Sequence, residues 1–385
     1  MLDQARQRTA VFQSNLRDAG IDVAVLTDEA SIAYLAGFWG YLSVEFGRPT
    51  FLIVRPDEAP VVITPAMESE MVSAMTWVEG IETWEDSGKN RWENVLARVL
   101  GENPGRIGVE RHVLPAIVRN WFDEAFNGTI LLDAASVLGA QRMIKSTEEI
   151  AVMRQAGQIG GAMMQAAHAA LVAGEPEYEA ALAVINAGTR KAAGFLTDKG
   201  RDVFISPMIH NLQVMQSGRD TSMVHRRASV KPLQTGDPVY FCFCNMAQFK
   251  QYKLGFDRLF FIRQVSDRAA EVQQAAVDAQ QAAIAAMRPG VTAHSIAVAA
   301  DEIYHARGFQ TGYRVGRSIG MSNLEAPELK HGDMTILKEG MTFAVDGGIS
   351  LDGELGGRIG DSVVVTATGA EYLTDYSRDI LIADV

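Results

Sequence analysis

Apolar residues recur at helical spacing over Asp3–Ala19, and the run stops at Gly20, a residue suited to a helix C-cap. Val23–Leu26 follows as a short apolar strand, Glu29–Leu35 as a helix, and Thr50–Val54 and Val61–Thr64 as further strands. Strand and helix signals alternate again through Arg106–Val109, Pro115–Phe126 and Thr129–Asp133. This pattern predicts a small α/β domain over residues 1–140.

The pattern then changes. Ser146-Thr147-Glu148-Glu149 has the spacing of a capping box, a Ser cap with Glu three residues on. The helix it opens, Glu149–Val172, is rich in Ala, Gly and Met, as close packing on a sheet requires. Pro176-Glu177-Tyr178-Glu179 opens another helix, to about Ala193, and strand-rich sequence runs from Asp202 to Ile262. A long Ala/Gln helix, Ala269–Arg288, stops at the breaker pair Pro289-Gly290; His294–Arg307 is again helical. Strands return at Met341–Ala344 and Ser362–Thr366. Residues 146–385 are therefore expected to form an α+β domain, helices covering one face of a curved, mainly antiparallel sheet.

Composition narrows the function classes. The 385 residues are too many for one ordinary core, which agrees with two domains. With 48% hydrophobic and 21% charged residues the chain has the make-up of a soluble globular protein. A net charge of −12 argues against a nucleic-acid partner, which needs a clustered basic surface. No basic-then-apolar leader opens the chain, and no run approaches the ~18–20 apolar residues of a membrane span. Cys242 and Cys244 stand two apart on one strand and are not a disulfide framework, so a reducing cytoplasm is the expected compartment. A lone C-x-C reads as two small core residues rather than a metal site.

Around Gly236–Asp237, Gly316–Gly320, Ala344–Gly348 and Arg358–Asp361 the sequence resembles the C-terminal domain of the aminopeptidase P, prolidase and creatinase superfamily, the pita-bread fold. In the peptidases of that family two Asp, one His and two Glu bind two divalent cations. Here those positions read Cys242, Gly255, Arg317, Asp346 and Gly360. One carboxylate of five does not supply the ligands that two hard cations need. The resemblance thus implies chemistry without metal or other cofactor, on the creatinase side of the family. Glu45-Phe46-Gly47-Arg48-Pro49, Arg142–Ser146 with Glu148-Glu149, Pro176–Glu179, and Ser217-Gly218 with His225 before Gly236-Asp237 are similar to creatinase segments.

The same resemblance nominates residues. His225, eleven residues before Gly236-Asp237, matches a catalytic His; imidazole can take a proton from water and pass one to a leaving nitrogen. Its plain alternative is a surface His beside Arg226 and Arg227. Asp257, before Arg258, stands where creatinase has a substrate-binding Glu; a carboxylate there would hold an amidine or guanidine, act as base, or attack as a nucleophile. Otherwise it is an ion pair along its own strand. Asp346 replaces another Glu, and two carboxylates in one apolar pocket would drive their pKa values apart. Its alternative is a turn-capping Asp.

Arg48 is the expected carboxylate clamp, with Phe46 packing on the substrate body, and Trp39 and Tyr41 close enough in sequence to line the same pocket. In creatinase this segment enters the neighbouring subunit's site, so a homodimer with shared sites is implied. Arg317 replaces a His and would stabilise an oxyanion or bind a second carboxylate. Glu325 is either a site residue or a structural ion pair. The methionines, Met163 and Met164 among them, read as core filler.

The expectation is a metal-independent hydrolase that cleaves a carbon–nitrogen bond of a small carboxylate-bearing guanidino or amidine compound, creatine-like or ectoine-like. Two rivals stand beside it: a lyase on a zwitterion such as dimethylsulfoniopropionate, and a non-catalytic binding protein on a degraded peptidase scaffold. Ordinary Xaa-Pro peptidase activity is the least favoured reading.

Overall fold

The computed structural model describes residues 2–40, 47–126, 128–210, 214–310 and 314–384. The chain divides into two compact units, Met1–Arg142 and Met143–Val385. In the first, six strands form one mixed sheet in the order Gly80–Trp84, Val61–Pro65, Phe51–Val54, Val23–Leu26, Ile107–Val109, Leu132–Asp133. The opening helix, Leu2–Ala19, buries Ala5, Thr9, Phe12 and Leu16, a stripe at helical spacing. Gly20 adopts the left-handed conformation (φ 67°) that ends it. Asp28 caps the helix Glu29–Ala36 by accepting from the Ser31 N–H. The sheet's core joins Val23, Val25, Phe51 and Ile53 to Trp92, Leu96 and Phe122.

The second unit is built on a nine-stranded sheet, antiparallel except where Leu381–Ala383 runs parallel to Asp257–Ile262. Its central path runs Glu325–Leu329, Gly316–Ser318, Thr342–Leu351, Leu355–Val365, Asp257–Ile262, Pro238–Cys242, Val214–Ser217. The capping box forms: Ser146 Oγ accepts from Glu149 N–H and the Glu149 carboxylate accepts from Ser146 N–H. The helices Thr147–Val172 and Glu177–Ala193 pack together, as do Asp267–Ala286 and Ala293–Ala306. This is the N-terminal α/β and C-terminal pita-bread architecture that the sequence predicts. No helix among the described residues is long and apolar enough to cross a membrane.

Two strands run much further than their sequence suggests. Met341–Ala344 belongs to a ten-residue strand and Ser362–Thr366 to an eleven-residue one, paired from Thr342↔Val364 to Leu351↔Leu355. Their middles, Asp346-Gly347-Gly348 and Gly356-Gly357-Arg358-Ile359-Gly360, look like turns because glycine interrupts them. The glycines have another cause. A Cβ on Gly347 would lie 2.0 Å from the carbonyl oxygen of Ala276, and one on Gly357 2.8 Å from that of Val272. The helix Asp267–Ala286 rests its backbone directly on the sheet. Asp346 and Gly360 are out of phase with these glycines and turn to the opposite face. Met208–Ile209, expected within strand-rich sequence, instead follow a short helical turn, Gly200–Phe204.

Candidate active site

Strand register assembles the site. Val214, Cys242, Asp257, Gly360 and Asp346 are successive cross-strand partners, so they form one row across five strands with their side chains on one face. Cys244 and Gly255 lie two residues from Cys242 and Asp257, and Arg317 pairs with Ala344, two residues from Asp346. Alternation places Arg317 on that same face, and its approach to Cys244 Sγ and to Gly255 brings those two residues to it.

Arg317 is the hub. Its Nη1 donates to Asp346 Oδ2 at 2.9 Å, its Nη2 to Cys244 Sγ at 3.1 Å, and its Nε to the Asn323 carbonyl at 2.9 Å. The Arg317 side chain is 6% exposed and that of Asp346 15%. Although burial alone would lower it, the Arg317 pKa is raised, because Cys244 and Asp346 hold the cation in place. Asp257 is almost wholly buried, and burial, reinforced by the charges of Asp346 and Cys244, pushes its pKa well above the ordinary carboxyl range. Burial thus favours its protonated, neutral form. The Cys244 thiol is lowered to about 6: a hydrogen bond from Cys242 outweighs burial, and the Arg317 charge adds to it. Burial and that same bond push Cys242 up.

Two atoms lack partners in this cluster. Asp257 Oδ1 and Asp346 Oδ1 are buried and accept no hydrogen bond among the described residues. Buried polar atoms are normally paired, so these two mark a place for a donor. The missing side chain at Gly360 lets the two carboxyl groups approach: a Cβ there would lie 2.1 Å from Asp257 Oδ2 and 3.0 Å from Asp346 Oδ1. At Gly255 a Cβ would lie 2.5 Å from Ala344 Cβ and 3.3 Å from Arg317 Nη2. Two glycines thus hold open the space that two carboxylates and a guanidinium fill.

Behind the row a second network fixes the strands. Arg258, alternating to the far face, donates to Asp361 Oδ1 (3.0 Å) and to the carbonyls of Gly360, Tyr376 and Ser377. Asp361 also accepts from Gln280, Thr374 and Arg378. Arg258 therefore pairs with Asp361, not with the side chain of Asp257.

The remaining candidates lie elsewhere. His225 is exposed, just past the helical turn Gly218–Ser222. Its neighbour Arg226 accepts from Met215 N–H, so two strands, Val214–Ser217 and Pro238–Cys242, stand between this segment and Asp257. Glu325 accepts from Lys145 Nζ at 3.0 Å and from Ser322 N–H, a buried ion pair that shapes the turn before its strand. Arg48 pairs with the exposed Asp86 at 2.6 Å. Trp39 lines a small cavity with Ile32, Thr50 and Glu68 in the first unit. Phe46 and Tyr41 lie outside the described residues.

Cys244 is the member of the site that sequence reasoning passed over. Its position in C-x-C signals which face it takes, but its Arg317 partner lies 73 residues further on. The thiols and the Asp257 carboxyl come within 4.8 Å of one another, the only such trio among the described residues. Three donors with a guanidinium against one sulfur do not fit a pair of hard divalent cations, which take oxygen ligands and tolerate no adjacent fixed cation.

Comparison with known proteins agrees with this architecture. Residues 8–144 match the creatinase/prolidase N-terminal domain and residues 151–367 match metallopeptidase family M24. The chain is 29% identical to the agropine synthesis cyclase of Rhizobium rhizogenes, covering 96% of this chain and 95% of that one. It is 27% identical to the creatinase of Bacillus sp. (strain B-0618), covering 97% and 91%. Among solved structures, dipeptidase PepE from Mycobacterium ulcerans superposes with a TM-score of 0.84 at 25% identity, over 100% of this chain and 99% of that one. The chain therefore belongs to family M24, the pita-bread superfamily of prolidases and creatinases, and joins a creatinase/prolidase N-terminal domain to an M24 domain.

Proposed function

We propose that this M24 protein is a hydrolase of carbon–nitrogen bonds in a small compound bearing a carboxylate and an amidine or guanidine, working without a divalent cation. One observation carries the reading: the Asp257 and Asp346 carboxyls converge at Gly360, each with a buried oxygen that has no partner among the described residues, and Asp346 is held by the buried Arg317 guanidinium. A planar N–H-bearing cation satisfies both acceptors at once, and charge-assisted bonds of this kind are strong. The scissile bond of an Xaa-Pro dipeptide is an uncharged tertiary amide with no N–H, so the reacting group itself would fill neither acceptor. Similarity to a creatinase supports the same substrate class.

Asp257, its pKa raised by burial toward the protonated form, is suited to donate to the departing nitrogen, which moves the proton transfer expected of His225 onto a group inside the cluster. Asp346, held by Arg317, keeps its charge for the substrate cation. The proposal retains Arg48 as a carboxylate clamp within a homodimer, and light scattering of the purified protein checks the oligomer.

The test is turnover of creatine, ectoine and an Xaa-Pro dipeptide after exhaustive chelation. Turnover of a guanidino or amidine substrate, unchanged by chelator and absent for the dipeptide, is expected. Activity that disappears on chelation and returns with Mn²⁺ or Co²⁺ would overturn the cation-free reading; dipeptide cleavage would overturn the substrate class.

A further inference from the structure

We propose that Cys244 is a nucleophile of this site, its thiolate aimed at the carbon of a cationic amidine or guanidine. The proposal deepens the carbon–nitrogen hydrolase reading, which supplies only the identity of the electrophile. Four observations converge. Cys244 is partly exposed while Cys242 is buried, so Cys244 is the more open residue of the pair. Arg317 Nη2 stands 3.1 Å from Cys244 Sγ and neutralises a thiolate there. Gly255 has no side chain beside that sulfur; even its Cβ would lie 3.6 Å from Sγ. The unpartnered Oδ1 of Asp257, a residue 3% exposed, belongs to a carboxyl within 4.8 Å of the same sulfur. An electropositive, partly open setting is what distinguishes a reactive cysteine from an inert core one.

The lowered Cys244 pKa of about 6 agrees with this geometry. A thiol at about 6 is mostly ionised at neutral pH, while burial raises the Asp257 pKa and favours its protonated form. A nucleophile in its basic form and an acid in its protonated form then coexist within one cluster.

The step balances. Sulfur attacks the amidinium carbon and a C–S bond forms. The C–N bond to the departing amine breaks as Asp257 gives that nitrogen its proton, leaving a protonated thioimidate on Cys244 and a carboxylate at Asp257. Water then adds to the same carbon and the C–S bond breaks with its electron pair returning to sulfur. Of the two protons water and adduct release, one returns to Asp257 and the other leaves on the product amine as its ammonium ion. The products are an amine and an amide, or a urea when the substrate is a guanidine.

The experiment uses full-length protein with 2-chloroacetamidine, a cationic amidine electrophile, and iodoacetamide as the neutral comparison. Intact-mass and peptide analysis follow the adduct from about pH 5 to about pH 9, spanning the range of free and activated thiols. One adduct is expected, on Cys244, with a rate half-maximal near pH 6 and the amidine faster by about tenfold, the worth of one favourable charge contact. Arg317→Gln, and independently Cys242→Ala, should each raise that midpoint, and Cys244→Ser should take up no label. A midpoint at the ~8.5 of an ordinary cysteine, labelling on Cys242, or equal rates for the two reagents would overturn the proposal. The adduct is read without turnover, so failure of the hydrolase reading shows separately, as clean Cys244 labelling in a protein that cleaves no amidine.

Discussion

Removing Arg317 is the sharpest perturbation available to this site. Arg317→Met keeps most of the volume and removes the charge, so Asp346 loses its 2.9 Å partner and retains an already unpartnered Oδ1. Two unit charges about 4 Å apart at an effective dielectric of about 20 attract by about 4 kcal/mol, and taking one member from a buried pair costs about 3–5 kcal/mol. Asp346→Asn is milder, about 1–2 kcal/mol, because the Arg317 guanidinium keeps Cys244 and the Asn323 carbonyl. In the double variant Asp346 strands no charge and Cys244, without Arg317, keeps its proton, so the pair should show a coupling of about 2–3 kcal/mol. The probe matters. All five tryptophans (Trp39, Trp77, Trp84, Trp92 and Trp121) lie in Met1–Arg142, so their fluorescence follows the other unit. Native-state amide exchange on the strand Thr342–Leu351 reads the perturbed unit directly. Free energies additive to within about 0.5 kcal/mol would show that Arg317 and Asp346 do not act as a buried pair, and the electrostatic account of the site would fall with them.

Further outcomes follow from other contacts. Gly360→Ala places a Cβ 2.1 Å from Asp257 Oδ2, so both carboxylates must give way; kcat/KM should drop about 100-fold for a shift of about 1 Å. The same change should cost about 1–3 kcal/mol of stability, and unaltered kinetics would contradict the shared-space account. Glu110 in the first unit has its pKa raised from 4.5 to about 7, by burial first and the charge of Asp28 second. The folded state then holds a proton that the unfolded chain releases, so stability falls as pH rises from about 4.5 to about 7, by about 3 kcal/mol in all. Tryptophan-monitored urea unfolding should show this slope and Glu110→Gln should flatten it; a flat profile in the unaltered protein would refute the assignment.

The helices and short strands of the first unit could be read from the chain because each buries a periodic apolar face. Val23–Leu26 and the capped start at Ser146 need only local information. The two long strands could not be read to their ends, since their glycines answer to a helix far away in sequence. The site divides on the same principle. Asp257, Asp346 and Arg317 stand in local motifs, and the structure brings them together. Cys244 has no motif of its own; a thiol becomes noteworthy only when a distant guanidinium is laid against it. His225, Arg48 and Glu325 were nominated by position in a family pattern, and their surroundings here are solvent, an exposed ion pair and a buried lysine respectively.

The glycines at 255 and 360 also constrain how such a chain can change. An acidic residue placed at 360 would drive a side chain into the carboxylates already there, and any side chain at 255 would first strike Ala344. Neither step can be taken alone without breaking what the neighbours now share. With guanidinium, thiols and paired acids packed into that space, sterics block a ligand-bearing side chain at either glycine one substitution at a time, and redesign would have to exchange the whole constellation together.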